Sequence, residues 1–160
     1  MKPKFEKWLR YYPRLGILRW IKSPVNVTPV GSVAGFTMQH GYRCICFRGR
    51  YYLEHRVAWY LKTGKWPKPL DHKDGNRANN KWANLREATN SQNQGNKKKG
   101  RNNTSGYKGV CWHKPSRSWC AMIELNGRQK WLGRHDTPEL AHAAYIKAAR
   151  THFGEFARAA

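Results

Sequence analysis

Carboxylates are scarce in this chain. Nine Asp and Glu stand against 31 Lys and Arg in 160 residues, a formal net charge of +22. That imbalance far exceeds what solubility requires and points to a polyanionic partner, nucleic acid first. Long apolar runs are also missing, so no segment is long enough to span a bilayer. The basic positions lie among Asn, Gly and Trp instead of opposite an apolar helical face, which argues against a membrane surface as the partner. Met1 to Arg10 is basic with no apolar stretch behind it, so a soluble, unexported, cytoplasmic protein is expected. The four cysteines, Cys44, Cys46, Cys111 and Cys120, form no Cys-x-x-Cys pair and have no flanking histidines at zinc-finger spacing. Neither structural zinc nor a disulfide framework is signalled, and small buried thiols are expected, Cys44 and Cys46 sharing one face of a strand.

What is present is a cluster of polar residues with a specific spacing. Asp71-His72 is followed by Asp74-Gly75-Asn76, then by Asn84 at the head of Asn84-Leu85-Arg86, then by Asn93. A divalent ion that holds a phosphate needs hard oxygen ligands, which Asp71 and the Asn93 amide can supply. His72 can stay neutral beside them and take a proton from water. Trp66-Pro67-Lys68-Pro69-Leu70 should enter as an extended segment, because residues before proline avoid the helical region, and Asp74 to Asn80 must loop back. The returning Asn84-Leu85-Arg86 would then place Asn84 beside His72 across a hairpin, fixing the imidazole. Thr89 or Asn90 can cap a helix, and Asn93, one turn in, points back toward Asp71. A polar turn alone would explain the first cluster but not the two later amides.

These residues, with Asn79-Asn80 and the stretch Thr89 to Asn93, resemble an HNH endonuclease of the phage and intron homing type. Upstream, Glu54-His55-Arg56-Val57-Ala58-Trp59 and Gly64-Lys65-Trp66-Pro67 are similar to the helix and turn that lead into the hairpin in phage members. The resemblance implies a ββα-metal hairpin with Asp71 and Asn93 as metal ligands, His72 as general base and Asn84 as its orienter, with Asn96 as a further candidate. It also implies products with 5′-phosphate and 3′-hydroxyl ends. His55 can either approach the hairpin or pack.

Short strands are predicted at Leu15 to Trp20, Tyr42 to Phe47 and Tyr51 to Leu53, around a Pro- and Gly-punctuated stretch from Pro24 to Gly35. Arg43, Arg48 and Arg50 with Tyr11, Tyr12 and Tyr51 are open to two readings, backbone contacts to nucleic acid or a basic exposed sheet face. A helix is predicted from Glu54 to Leu61, ended by Gly64. Gln92 to Thr104 has almost nothing to bury and reads as a solvated linker in which Lys97, Lys98, Lys99 and Arg101 can follow a phosphate ladder.

Three more strand-like runs follow, Gly106 to Trp112, Ser118 to Leu125 and Gln129 to Arg134, with Asn126-Gly127 a strong hairpin signal. Thr137 caps a last helix with Pro138 first and Glu139 at the positive end of the dipole. Its small face, Ala141, Ala144, Tyr145 and Ala148, should lie close on the sheet until Phe153-Gly154. Gly106-Tyr107-Lys108-Gly109-Val110, Trp119-Cys120-Ala121, Trp131-Leu132-Gly133 and Thr137-Pro138-Glu139 with Ala141, Ala144 and Tyr145 resemble the Apetala-type DNA-binding domain of plant ethylene-response factors. In that family the sheet enters the major groove. Carried over, Lys108, His113, Trp119, Lys130 and Trp131 face DNA, and Arg117, Arg128 and Arg134 meet phosphate or base edges. Cys111, His113 and Glu124 depart from the plant pattern, so no target sequence carries over. Core packing is the competing reading for Trp119 and Trp131.

The expected architecture is α+β: a β-rich region 1–53, a ββα-metal (His-Me finger) core 54–96, a basic linker 97–104, and at 105–157 a three-stranded antiparallel sheet packed on one helix. The expected activity is metal-dependent hydrolysis of a DNA phosphodiester, with Mg²⁺ or Mn²⁺ as cofactor. One strand of double-stranded DNA would be nicked per binding event by a monomer or weak dimer. Two alternatives stay open: a non-catalytic sequence-specific DNA-binding regulator, and an RNA-binding protein.

Overall fold

The computed structural model describes residues 3–25 and 28–158, which form a mixed α/β chain of four small antiparallel sheets and three α-helices. Among the described residues no helix is long and apolar enough to cross a membrane. The chain divides into two compact units, Met1–Glu87 and Ala88–Ala160.

In the first unit, β1 (Leu9–Tyr12) and β2 (Ile17–Trp20) form a hairpin, and β3 (Phe36–Thr37), β4 (Arg43–Phe47) and β5 (Arg50–Leu53) form a sheet in that order. Helix α1 (Glu54–Thr63) follows directly, and β6 (Leu70–His72) pairs with β7 (Leu85–Glu87). Leu18, Trp20, Ile45 and Phe47 alternate along their strands onto one core with Phe5, Leu9, Ala34 and Val57 of α1. The change from strands to helix at residue 53 therefore falls inside one packed unit. Arg43 reaches Glu54 at 2.5 Å, tying the middle strand to the first residue of α1. On the other face of β4 the two thiols part: Cys44 is buried against Met38, while Cys46 is exposed, contrary to the expectation of buried thiols.

The second unit opens with α2 (Asn90–Asn96) and continues with β8 (Val110–His113), β9 (Ser118–Leu125) and β10 (Arg128–His135), ordered β10-β9-β8, then α3 (Pro138–Phe153). Thr137 caps α3 by accepting from the Leu140 amide, with Pro138 at the start. The buried seam of α3 runs Ala141, Tyr145, Ala149, Phe153 at four-residue steps, with Ala144 and Ala148 flanking it, a slight rotation from the face expected. Small residues let the helix approach. At Gly109, with φ 73°, a Cβ would lie 2.1 Å from the Tyr145 ring, so only glycine fits. α2 belongs to this packing as well, since Ala88 joins the core and Gly95 lies directly against Phe153.

Candidate active site and nucleic-acid interface

The β6–β7 hairpin carries the first candidates. Asp71 lies opposite Arg86 and His72 opposite Leu85. Both acidic and imidazole side chains are buried, at 8% and 5% exposure. Cross-strand pairing brings the Arg86 Nε and Nη2 atoms each to 2.9 Å from Asp71 Oδ2. His72 Nε2 stands 3.0 Å from Asn80 Oδ1. An amide oxygen only accepts, so Nε2 carries the proton and Nδ1 is the basic nitrogen of the ring.

The side chain that hydrogen-bonds the His72 ring is that of Asn80, whereas the sequence pointed to Asn84 as its neighbour. His72 registers against Leu85, and Asn84 sits one residue earlier in a 3-10 turn, its carbonyl accepting from the Lys73 amide at 2.9 Å. Its side chain is committed to the loop: Oδ1 accepts from the Asp74 amide at 3.0 Å, and Nδ2 donates to Asp74 Oδ1 at 3.0 Å and Asn79 carbonyl at 2.7 Å. Asn84 thus shapes the loop that delivers Asn80. Asp74 also accepts from the Asn76 amide and from Asn79 Nδ2. Burial pushes the Asp74 carboxyl up, but the bonds from Asn79, the Asn76 amide and Asn84, with the charge of His72, hold it below the ordinary value.

Asn80 is itself 1% exposed and clamped from the N-terminal hairpin. Its carbonyl accepts from the Tyr11 hydroxyl at 2.6 Å, and the Trp82 amide donates to Pro13 carbonyl at 3.0 Å. At Gly16, with φ 71°, a Cβ would lie 2.4 Å from Lys81 N, so the β1–β2 turn rests directly on this backbone. The Asn79-Asn80 doublet was the one signal in the sequence for this role.

His55 resolves toward the hairpin. Its ring packs edge-on at 5.0 Å from that of His72, and Tyr42 lies 5.5 Å from one and 6.1 Å from the other. Burial, then the charges of His72 and Arg56, push His55 down to about 3, so it is a neutral wall. Arg77 covers Tyr42 from outside at 4.9 Å.

The second unit holds the remaining candidates. Thr89 and Gln92 form a capping box at the head of α2. Asn93 makes the helix's first backbone bond, to Thr89 carbonyl, and its Oδ1 is shielded from solvent without a hydrogen-bond partner. Asn96 is buried. Lys97, Lys98, Lys99 and Arg101 are exposed, and Lys99 donates to Gly106 carbonyl at 2.8 Å. The lysines border a cleft of about 440 Å³ against β8 and β9, reaching Cys111, Met122 and Gln129.

Register sorts the sheet residues. Val110, Trp119, Ala121 and Ile123 face α3, and partners across strands share a face, so His113, Trp131 and Arg134 lie on the open side. Trp131 is half exposed there with Arg134 at 6.0 Å, whereas Trp119 packs inward. His113 is also engaged by Ser116 at 2.6 Å. Arg117, Arg128 and Lys130 are exposed at turns or on the edge strand, Lys130 paired with the inward Ile123. Lys108 turns inward, contrary to expectation: its ammonium donates to Gly95 carbonyl at 2.7 Å and Arg158 carbonyl at 3.4 Å. Burial first, then Arg158 and Lys97, lower it to about 8, so it acts as a strut between α2 and the sheet unit.

Residues 52–94 match the family described as HNH endonuclease, and residues 105–155 match the AP2 domain. The chain is 35% identical over 106 residues to Protein 3.8 of Escherichia phage T7, covering 65% of this chain and 87% of that protein. No solved structure matches it.

Proposed function

This chain belongs to the phage HNH endonucleases that carry a C-terminal AP2-type domain, and from that premise we propose that it hydrolyses a phosphodiester of double-stranded DNA with His72 as general base. The observation that carries the proposal is the buried His72 ring held in one orientation through Nε2 by Asn80. His55 and Tyr42 wall the ring and keep it from rotating. The Asp71 carboxylate and the Asn93 amide oxygen are each hard oxygen donors, the ligand type that Mg²⁺ or Mn²⁺ takes, and are the proposed ligands. When bound, such an ion supplies Lewis acidity at a phosphate oxygen and at the departing 3′ oxygen. Asn84 acts one step removed, by holding the loop that presents Asn80.

In this reading residues 54–96 carry the ββα-metal chemistry, with β6 and β7 as its strands and α2 as its helix. The segment 97–104 follows phosphates, and the sheet of 105–157 enters a groove through its open side. One metal centre per chain makes a monomer a nicking enzyme. Its products carry 5′-phosphate and 3′-hydroxyl ends, and its place of action is the cytoplasm of an infected cell. The test is conversion of supercoiled plasmid to open circle with Mg²⁺ or Mn²⁺. His72→Ala should abolish nicking while duplex affinity, measured in EDTA, stays within about twofold. Wild-type nicking by that variant removes His72 as base.

A further inference from the structure

The first unit carries a cleft that, apart from Tyr52, lies wholly outside both matched families. Its volume is about 480 Å³, and Lys4, Lys7, Trp8, Arg48, Arg50 and Tyr52 line it over the buried Phe47. Among the described residues no carboxylate lines it. The ion pairs Arg43–Glu54 and Arg86–Asp71 lie elsewhere, and the nearby Glu6 engages the Tyr60 hydroxyl at 3.3 Å. Four like charges around one concavity repel each other unless an anion joins them.

The aromatic rings add a second feature. The Arg48 guanidinium lies 5.6 Å from the Trp8 ring centre and 5.4 Å from that of Phe47, and the Lys22 ammonium lies 4.8 Å from Trp8. The Trp8 and Phe47 rings hold the Arg48 cation at the cleft, where it is less free to disperse into solvent.

The backbone adds a third. Arg48 and Gly49 form the two-residue turn between the paired Phe47 and Arg50, with φ of 52° and 73°. Such turns favour Asn, Asp or Gly at the first position, because other residues are strained in the left-handed region. A hairpin selected for stability alone would not place arginine there, and strain of this kind clusters where a side chain has a task. Arg43 shows the contrast, since it points inward to Glu54 and Ala34.

We infer that this cleft seats the phosphodiester backbone of DNA, with Arg48, Arg50, Lys4 and Lys7 on phosphates and Trp8 and Tyr52 against the sugars. It rests on the reading of the chain as acting on DNA, but not on the hydrolytic step. Phosphate contacts position a protein without reading sequence, so the cleft strengthens binding to target and non-target duplex alike. An anionic lipid surface shares the charge, but the cleft offers no apolar helical face to enter a bilayer, which favours DNA.

The test uses the full chain in EDTA, with duplex affinity measured across a salt series. Replacing Lys4, Lys7 and Arg50 by Gln and Arg48 by Gly should weaken binding about tenfold or more and flatten the plot of log affinity against log salt by up to about 3.6, at about 0.9 per phosphate lost. Arg48→Gly alone is the decisive variant, because glycine relieves the turn: it should raise the melting temperature while lowering affinity for duplexes of any sequence. Wild-type affinity and slope in the folded fourfold variant would overturn the inference, as would loss of binding confined to phosphatidylglycerol vesicles. A wild-type chain whose duplex binding ignores salt would overturn the DNA reading together with it, whereas salt-dependent wild-type binding matched by the variant overturns the cleft alone.

Discussion

Asn80 meets His72, the proposed base, through one side-chain hydrogen bond, so its loss should act on His72 and on little else. Asn80→Ala removes the acceptor for Nε2–H and lets the ring choose the other tautomer. Nicking should fall by about 10- to 100-fold, with duplex affinity in EDTA unchanged. His55 gives a different signature. Its folded value of about 3 lies below its ordinary 6.5, so the unfolded chain binds the extra proton first. The stability this confers is complete above pH 6.5 and drains as pH falls toward 3, with a slope approaching about 1.4 kcal/mol per pH unit. His55→Phe should lessen that acid sensitivity in urea melts taken across this window. An equal slope in both proteins would place the acid-sensitive group elsewhere.

At the scale of elements, the β1–β2 hairpin works as a buttress for the loop that ends at Asn80. Gly16→Ala would bring a methyl to 2.4 Å from Lys81 N at a φ of 71°. It should destabilise the protein by about 1–3 kcal/mol and depress nicking beyond what the stability loss explains, since the loop backbone must shift. The segment after α2 is tested by charge. Replacing Lys97, Lys98 and Lys99 by Gln should flatten the salt slope of duplex binding by up to about 2.7. An unchanged slope takes these lysines off the DNA. Elements of this size were readable in the chain. The Asn126-Gly127 turn, the Thr137 cap with Pro138, and the Thr89 cap of α2 are set by residues within a few positions of each other. The α3 seam came out rotated toward Ala149 and Phe153 because the sheet it packs on, not helical periodicity alone, selects the face.

For the whole molecule, the two compact units change what a truncation would do. A division of labour by sequence segments suggests that removing residues 105–160 spares the chemistry and weakens site preference. Yet α2, with Asn93, packs on that portion: Gly95 meets Phe153, and the Lys108 ammonium donates to Gly95 carbonyl at 2.7 Å. The truncated chain should lose nicking along with preference, and retained nicking would show that α2 stands without α3. The charge excess, the Asp71-His72 pair, the downstream amides and the caps and turns were all fixed by the sequence, because composition and short-range spacing determine them. The tertiary structure alone decided that Asn80 and not Asn84 holds His72, that Lys108 turns inward while Lys97 to Lys99 stay exposed, and that Arg43 is neutralised while Arg48 and Arg50 line a cleft. Each of those outcomes depends on a partner brought close only by folding, as Tyr11 is to Asn80 across 69 residues, and no local pattern encodes such a meeting.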